Sequence, residues 1–154
     1  MLIYYKGAIV VIIKELKDNE IKDANDLAFK VFLKYEAPDY DVQGINEFKN
    51  SIYSKEFIEK HSYYGAYEEN NLLGMIATRN NKGHIAMFFV DEDMQGKGIG
   101  KKLFNEICKD NINTYISANS SPYALAIYLH LGFKQSNDEQ CINGIKFIPI
   151  RYKL

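Results

Sequence analysis

Cysteine is scarce, with only Cys108 and Cys141. Two thiols build neither a disulfide framework nor a zinc site on their own. They are expected as buried or half-buried thiols in a reducing compartment. Arginine is equally scarce, being confined to Arg79 and Arg151. A surplus of one charge is missing too: nineteen basic residues face twenty acidic ones, for a net charge of −1. Such a chain has no global field to gather nucleic acid or anionic lipid, so any polyanion must be held by a local arrangement. Long apolar runs are absent. The longest, Ala8 to Ile13, is far shorter than the roughly 20 residues of a membrane helix. It follows Lys6 like a signal-peptide core, but Lys14, Glu15 and Lys17 come at once and no small-residue cleavage site appears. A first strand and a cytoplasmic, non-membrane protein are expected. Asn119-Ser120-Ser121 matches a glycosylation acceptor, which carries no meaning without a secretory signal. With no repeat or linker tract, the 154 residues read as one domain over 1–154, with 1–7 as an extension.

What is present suits a packed domain: 47% hydrophobic and 25% charged residues. Ala8 to Leu16 is β-branched and apolar, as in a strand buried on both faces. Asp18 or Asn19 is expected to cap a helix. In that helix Ala24, Leu27, Ala28, Val31, Phe32 and Tyr35 form one apolar stripe. Glu36 to Tyr40 breaks the helix around Pro38. A second helix is expected from about Ile45 to Lys60. Tyr63 to Glu68, Leu72 to Arg79 and His84 to Val90 read as an antiparallel meander. Its turns are at Asn70-Asn71 and at Asn80 to Gly83. A helix from Ile99 to about Lys109 and a strand from Thr114 to Ala118 follow. Pro122 opens another helix that ends at Leu131 against Gly132. Phe133 to Ser136 and Ile145 to Lys153 close the chain as strands.

The segment from Val90 to Leu103 is the informative one. A strand ends, a loop carries Gly96, Gly98 and Gly100, and a helix begins. Glycine exposes successive amides and lets a ligand approach closely. The first helical amides lack partners and carry partial positive charge. Together they make a cradle for phosphate or pyrophosphate, with Lys97, Lys101 and Lys102 adding charge. The nucleoside-triphosphate loop is excluded, because its spacing fails and no Ser or Thr follows. The dinucleotide fingerprint fails at Leu103, where it needs glycine, and it belongs at a first strand. A plain tight turn and helix start is the alternative.

Gln95-x-x-Gly98-x-Gly100, after a strand ending Phe88-Phe89-Val90, resembles the acetyl-CoA loop of the GNAT superfamily of N-acetyltransferases. Asn119 to Phe133 resembles that family's Asn-x-x-Ala…Tyr-x-x-x-Gly-Phe signature. The close match spans about residues 84–133, roughly a third of the chain. Two small departures stand out. Gln95 occupies a position where arginine is about as common, and Pro122-Tyr123 precedes the alanine run. The resemblance implies an α/β (α+β) fold with a mixed, mostly antiparallel sheet flanked by helices. In it the parallel strands His84–Val90 and Thr114–Ala118 splay apart and admit the pantetheine arm of acetyl-CoA. It implies that Phe89 and Val90 offer backbone groups to that arm. Gln95, Gly96, Lys97, Gly98 and Gly100 would bind the pyrophosphate, supported by Lys101, and Asn119 the pantetheine amide. Tyr128 would lie near the thioester sulfur.

The implied reaction is direct acetyl transfer to an amine, with no metal and no cysteine nucleophile. The amine must lose a proton to a base. The Val90 amide would stabilise the oxyanion. Tyr128, with an ordinary pKa near 10, would protonate the leaving thiolate. Glu36, Asp39, Tyr40 or a water relay are the alternatives for the base. His61, His84 and His130 are expected to be structural, and no histidine shows metal-ligand spacing. Tyr35, Tyr40, Tyr53 and Tyr64 could line an acceptor pocket, though core packing explains them better. Asp91-Glu92-Asp93 reads as a solvated turn. The acceptor is a small-molecule or peptide amine, such as a polyamine, an aminoglycoside, an amino acid or a protein N-terminus. Homodimerisation through the C-terminal strands is expected by family analogy alone. A silent acyl-CoA-binding module and a toxin acetylating aminoacyl-tRNA are the competing functions. The lack of a basic surplus counts against nucleic acid.

Overall fold

The computed structural model describes residues 10–154. The expected extension over residues 1–7, and Ala8 and Ile9 of the expected first strand, lie outside them. The elements are β1 (Ile12–Glu15), α1 (Asp18–Tyr35), α2 (Val42–Ile52), α3 (Lys55–Lys60), β2 (Ser62–Glu68), β3 (Asn71–Arg79) and β4 (His84–Val90). After these come α4 (Ile99–Cys108), β5 (Tyr115–Ser120), α5 (Leu125–Leu131), β6 (Lys134–Gln135), β7 (Gln140–Ile142) and β8 (Ile145–Lys153). The strand order is β1-β2-β3-β4-β5-β8-β6, with β7 pairing on β8. Among the described residues only β4 and β5 run parallel, and the other strand pairs are antiparallel. This is the mixed α/β architecture expected above.

Each face of the sheet carries a core. On one, α1 sets Ala24, Leu27, Ala28, Val31 and Phe32 against Tyr63, Met75, Ala77 and Phe89. On the other, α4 and α5 set Leu103, Phe104, Ile107 and Tyr128 against Tyr64, Ile76, Ile116 and Ile150. Buried Asn25 ties α1 to both neighbours. Its Nδ2 donates to the Ile52 carbonyl at 2.9 Å, and its Oδ1 accepts from the Tyr63 hydroxyl at 3.0 Å. Satisfied in this way, the amide holds α2 in place at little desolvation penalty.

Four expectations are corrected. The first strand is not buried on both faces: among the described strands β1 lies at the end of the sheet order, with Lys14 and Glu15 exposed. Helix α1 is capped by neither Asp18 nor Asn19. It begins at Asp18, and the Glu20 carboxylate accepts from the Lys17 amide at 3.1 Å. The single second helix is two helices, because Ser54 starts α3 by accepting from the Phe57 amide at 3.2 Å. Pro122 sits in a turn, and α5 starts three residues later at Leu125. Strand β7 was not expected. It forms a hairpin with β8 around Asn143-Gly144, both of which have positive φ.

Candidate acyl-transfer site

After β4 the chain makes a 3₁₀ turn over Glu92–Met94 and reaches α4 through Gln95 to Gly98. Gly96 and Gly98 have φ of 76° and 82°. An L side chain there costs on the order of 1–2 kcal/mol. A Cβ on either would meet nothing within 4 Å, so it is the backbone conformation that requires glycine. Gly98 is the N-cap of α4 and supplies no capping side chain. The first helical bond runs from the Lys102 amide to the Gly98 carbonyl at 3.2 Å. The amides of Ile99, Gly100 and Lys101 therefore have no helical acceptor and sit at the positive end of α4. Gly100 is less constrained, since a Cβ there would touch the Phe88 ring at an ordinary 3.5 Å. Lys97 and Lys101 are exposed. The acidic run is more than a solvated turn. Asp91 pairs with Lys30 of α1 at 3.2 Å and Glu92 with Lys34, which ties the loop to α1. The Gln95 side chain donates to the Val90 carbonyl at 3.1 Å.

The β4–β5 pair is joined only at His84↔Ser117 and Ile85↔Ala118. Beyond Ile85 the strands separate, next to a bulge where Ala77 pairs Met87 but Thr78 pairs Ile85. The Asp91 amide donates to the Leu73 carbonyl at 2.8 Å, which marks the phase of the β3–β4 ladder. Hydrogen-bonded pairs alternate along an antiparallel ladder. Phe89 therefore spends its N–H and C=O on Met75, whereas Phe88 and Val90 turn theirs toward the gap. Phe89 thus reaches the gap by its side chain, and Phe88, which sequence reasoning passed over, supplies backbone groups there.

Two cavities open on the gap. One, of about 590 Å³, lies along the loop and is lined by Val90, Gln95, Gly96, Gly98, Gly100 and the α5 face. The other, of about 380 Å³, lies between α1, α2 and the β7–β8 hairpin. Glu36, Phe88, Phe89, Ala124 and Tyr128 line both. Tyr128 is held edge-on between Phe88 and Phe133, at ring distances of 5.9 and 5.2 Å. Burial, and secondarily the charge of Glu36, push its phenol well above the ordinary value. Glu36 is the C-cap of α1, immediately before the Ala37–Asp39 turn. Burial pushes its carboxyl up to about 7, while Ser121 pulls the other way.

None of the remaining candidates lines both cavities. Asp39 is exposed. The Tyr40 hydroxyl donates to the Lys146 carbonyl at 3.0 Å, and burial raises its pKa. Asn119 opens into the smaller cavity and not the loop groove. His61 Nδ1 donates to the Phe57 carbonyl at 2.6 Å, and burial lowers its pKa. His84 is bonded to Ser117 at 2.8 Å, and burial pushes it down to about 4, so both are neutral at pH 7. His130 is exposed and lines the larger groove. Of the tyrosines, Tyr40 lines the smaller cavity, and Tyr35 stacks on Tyr123 of the groove at 5.2 Å. Neither Tyr53 nor Tyr64 lines either cavity. Among the described residues no helix is long and apolar enough to cross a membrane.

The splayed strands and glycine-lined loop define an acyltransferase architecture. A sequence profile for the acetyltransferase (GNAT) domain matches residues 36–154, and the chain belongs to that family. No curated protein matches it in sequence. Solved structures share the fold at low identity. A GCN5-related N-acetyltransferase from Rhodopseudomonas palustris is 14% identical with a TM-score of 0.79, over 96% of this chain and 100% of that one. The PaiA N-acetyltransferase of Thermoplasma acidophilum, solved in complex with coenzyme A, is 19% identical with a TM-score of 0.74, over 94% and 99%. PH1933 from Pyrococcus horikoshii is 22% identical with a TM-score of 0.67, over 94% and 99%.

Proposed function

We propose that this chain is an N-acetyltransferase that moves the acetyl group of acetyl-CoA directly to a primary amine. The observation that carries this is the meeting of two cavities at Glu36 and Tyr128. An elevated carboxyl and a protonated phenol face one small volume there, beside the open edge of β4. The residues fit a coenzyme A chain at two points. The uncapped α4 amides behind Gly96 and Gly98 suit a pyrophosphate, with Lys97 and Lys101 alongside. The Phe88 backbone groups and the Val90 N–H suit an amide-bearing arm, the Val90 carbonyl being taken by Gln95, with Asn119 across the gap. Acetyl-CoA, when bound, supplies an acyl carbon activated as a thioester.

Glu36 takes the proton from the acceptor ammonium. A carboxyl raised to about 7 is basic enough to do so near neutral pH. The Val90 amide stabilises oxyanion charge. Tyr128 keeps its proton at physiological pH and gives it to the departing sulfur. Gln95 contributes through its backbone, because its side chain is engaged by Val90.

In calorimetry the purified chain is expected to take up coenzyme A. A free-thiol assay with acetyl-CoA is expected to respond only when an amine is added. Uptake with no thiol release for any amine would leave a silent binding module, and no uptake would remove the assignment. Gly98→Ala should weaken coenzyme uptake about tenfold, the equivalent of roughly 1.4 kcal/mol of left-handed strain. Gly100→Ala should change it less than about threefold, since its Cβ meets ordinary contacts. Equal effects would mean that the loop conformation is not what holds the coenzyme.

A further inference from the structure

Resting on the transferase assignment above, we infer that the acceptor is a compact monoamine on a flat apolar body, an arylalkylamine in chemical class. The smaller cavity has a continuous aromatic wall. Tyr40 stacks on Phe32 at 5.4 Å, Phe32 on Phe48 at 4.0 Å, and Phe48 meets Phe89 edge-on at 6.1 Å. Phe147 of β8 also lines the cavity. Such rings favour a ligand ring, stacked or edge-on, over a thin flexible chain that leaves the wall unfilled. At about 380 Å³ the volume is near the lower end for small-molecule sites, which favours a compact acceptor over an intact aminoglycoside.

The β7–β8 hairpin bounds the cavity with Ile142, Ile145 and Phe147. It is held to α2 by backbone contact between two glycines. A Cβ on Gly44 would sit 2.3 Å from the Gly144 carbonyl, and one on Gly144 would sit 2.5 Å from Asp41 Oδ1. The hairpin is thus fastened to α2 where it bounds the cavity.

Charge selects the amine. Glu36 stands at the junction with the coenzyme groove, and Glu47 of α2 adds a second, half-buried carboxylate. Neither is in an ion pair among the described residues. The single cation of the lining, Lys146, is exposed on the hairpin. Two carboxylates draw a cation and repel the carboxylate of a free amino acid. The apolar wall then disfavours a ligand carrying further ammonium groups, whose desolvation it cannot repay.

The test measures kcat/KM by thiol release from acetyl-CoA with phenethylamine, tryptamine, putrescine, spermidine, free phenylalanine and a lysine-containing peptide. The two aryl amines are expected to exceed every other acceptor by at least about tenfold. Phe48→Leu should cut that advantage at least about threefold while leaving the KM for acetyl-CoA unchanged, with a melting curve to verify folding. Preference for putrescine, spermidine, phenylalanine or the peptide overturns the inference and leaves the transferase assignment standing. Coenzyme uptake with no turnover of any of the six overturns both.

Discussion

Replacing Glu36 with glutamine is expected to lower kcat/KM by about 10²–10³-fold, within the range of a positioned general base. Coenzyme A uptake should stay within about twofold, since Glu36 lies at the cavity junction and not at the α4 amides. The pH profile separates this role from a structural one. Burial holds the carboxyl near 7, and the active form is the carboxylate. Activity should therefore rise with pH through about 7 and level off above it, and Glu36→Gln should erase that acidic limb. Stability should move the opposite way. The folded pKa is above the unfolded value of 4.5, so the folded state holds the proton more tightly. The contribution is full below about 4.5 and is lost as pH rises toward 7. The ceiling is about 3 kcal/mol, reduced because the carboxyl touches an open cavity. Glu36→Gln should thus be more stable than the parent at pH 8 and close to it at pH 4. A variant that loses activity together with stability at pH 8 would make Glu36 a structural residue.

Local features of this fold were readable because they depend on neighbouring residues. The left-handed backbone at Gly98 and Gly132 could be anticipated from one glycine each, and the α1 stripe from its spacing. The break between α2 and α3 carried a signal too, a serine with an acceptor oxygen three residues before the Phe57 amide. Apolar spacing from Ile52 to Phe57 concealed it. The hairpin of β7 and β8 was announced by Asn143-Gly144, a pair suited to positive φ at both positions. What spacing could not convey was convergence. Glu36 and Tyr128 are 92 residues apart in the chain, and they line the same two cavities only because α1 and α5 pack on opposite faces beside a split sheet. The phase that frees the Phe88 and Val90 amides, and not that of Phe89, belongs to the β3–β4 pairing, which the bond from the Asp91 amide to Leu73 marks. Composition also could not tell a core tyrosine from a cavity tyrosine: Tyr63 bonds Asn25 in the interior, and Tyr40 walls the acceptor cavity.

Tyr128→Phe is expected to lower turnover by about 10²-fold, the lower part of the general-acid range. The KM for acetyl-CoA should remain nearly unchanged, because the phenyl ring still packs between Phe88 and Phe133. Removing the hydroxyl leaves no donor or acceptor of the protein unpaired, since the phenol has no hydrogen-bond partner among the described residues. A melting temperature within a few degrees of the parent is therefore expected. Burial and the neighbouring Glu36 charge both raise the phenol's pKa, so Tyr128 stays protonated far above neutrality. It should add no alkaline limb to the profile, and Tyr128→Phe should keep the acidic limb of Glu36 while lowering the plateau. The acid matters less as the leaving thiol becomes more acidic. An acetyl thioester of an aryl thiol that still reaches the site should thus lose less activity on Tyr128→Phe than acetyl-CoA does. Equal losses for the two donors would assign Tyr128 to packing and leave the sulfur to be protonated by water.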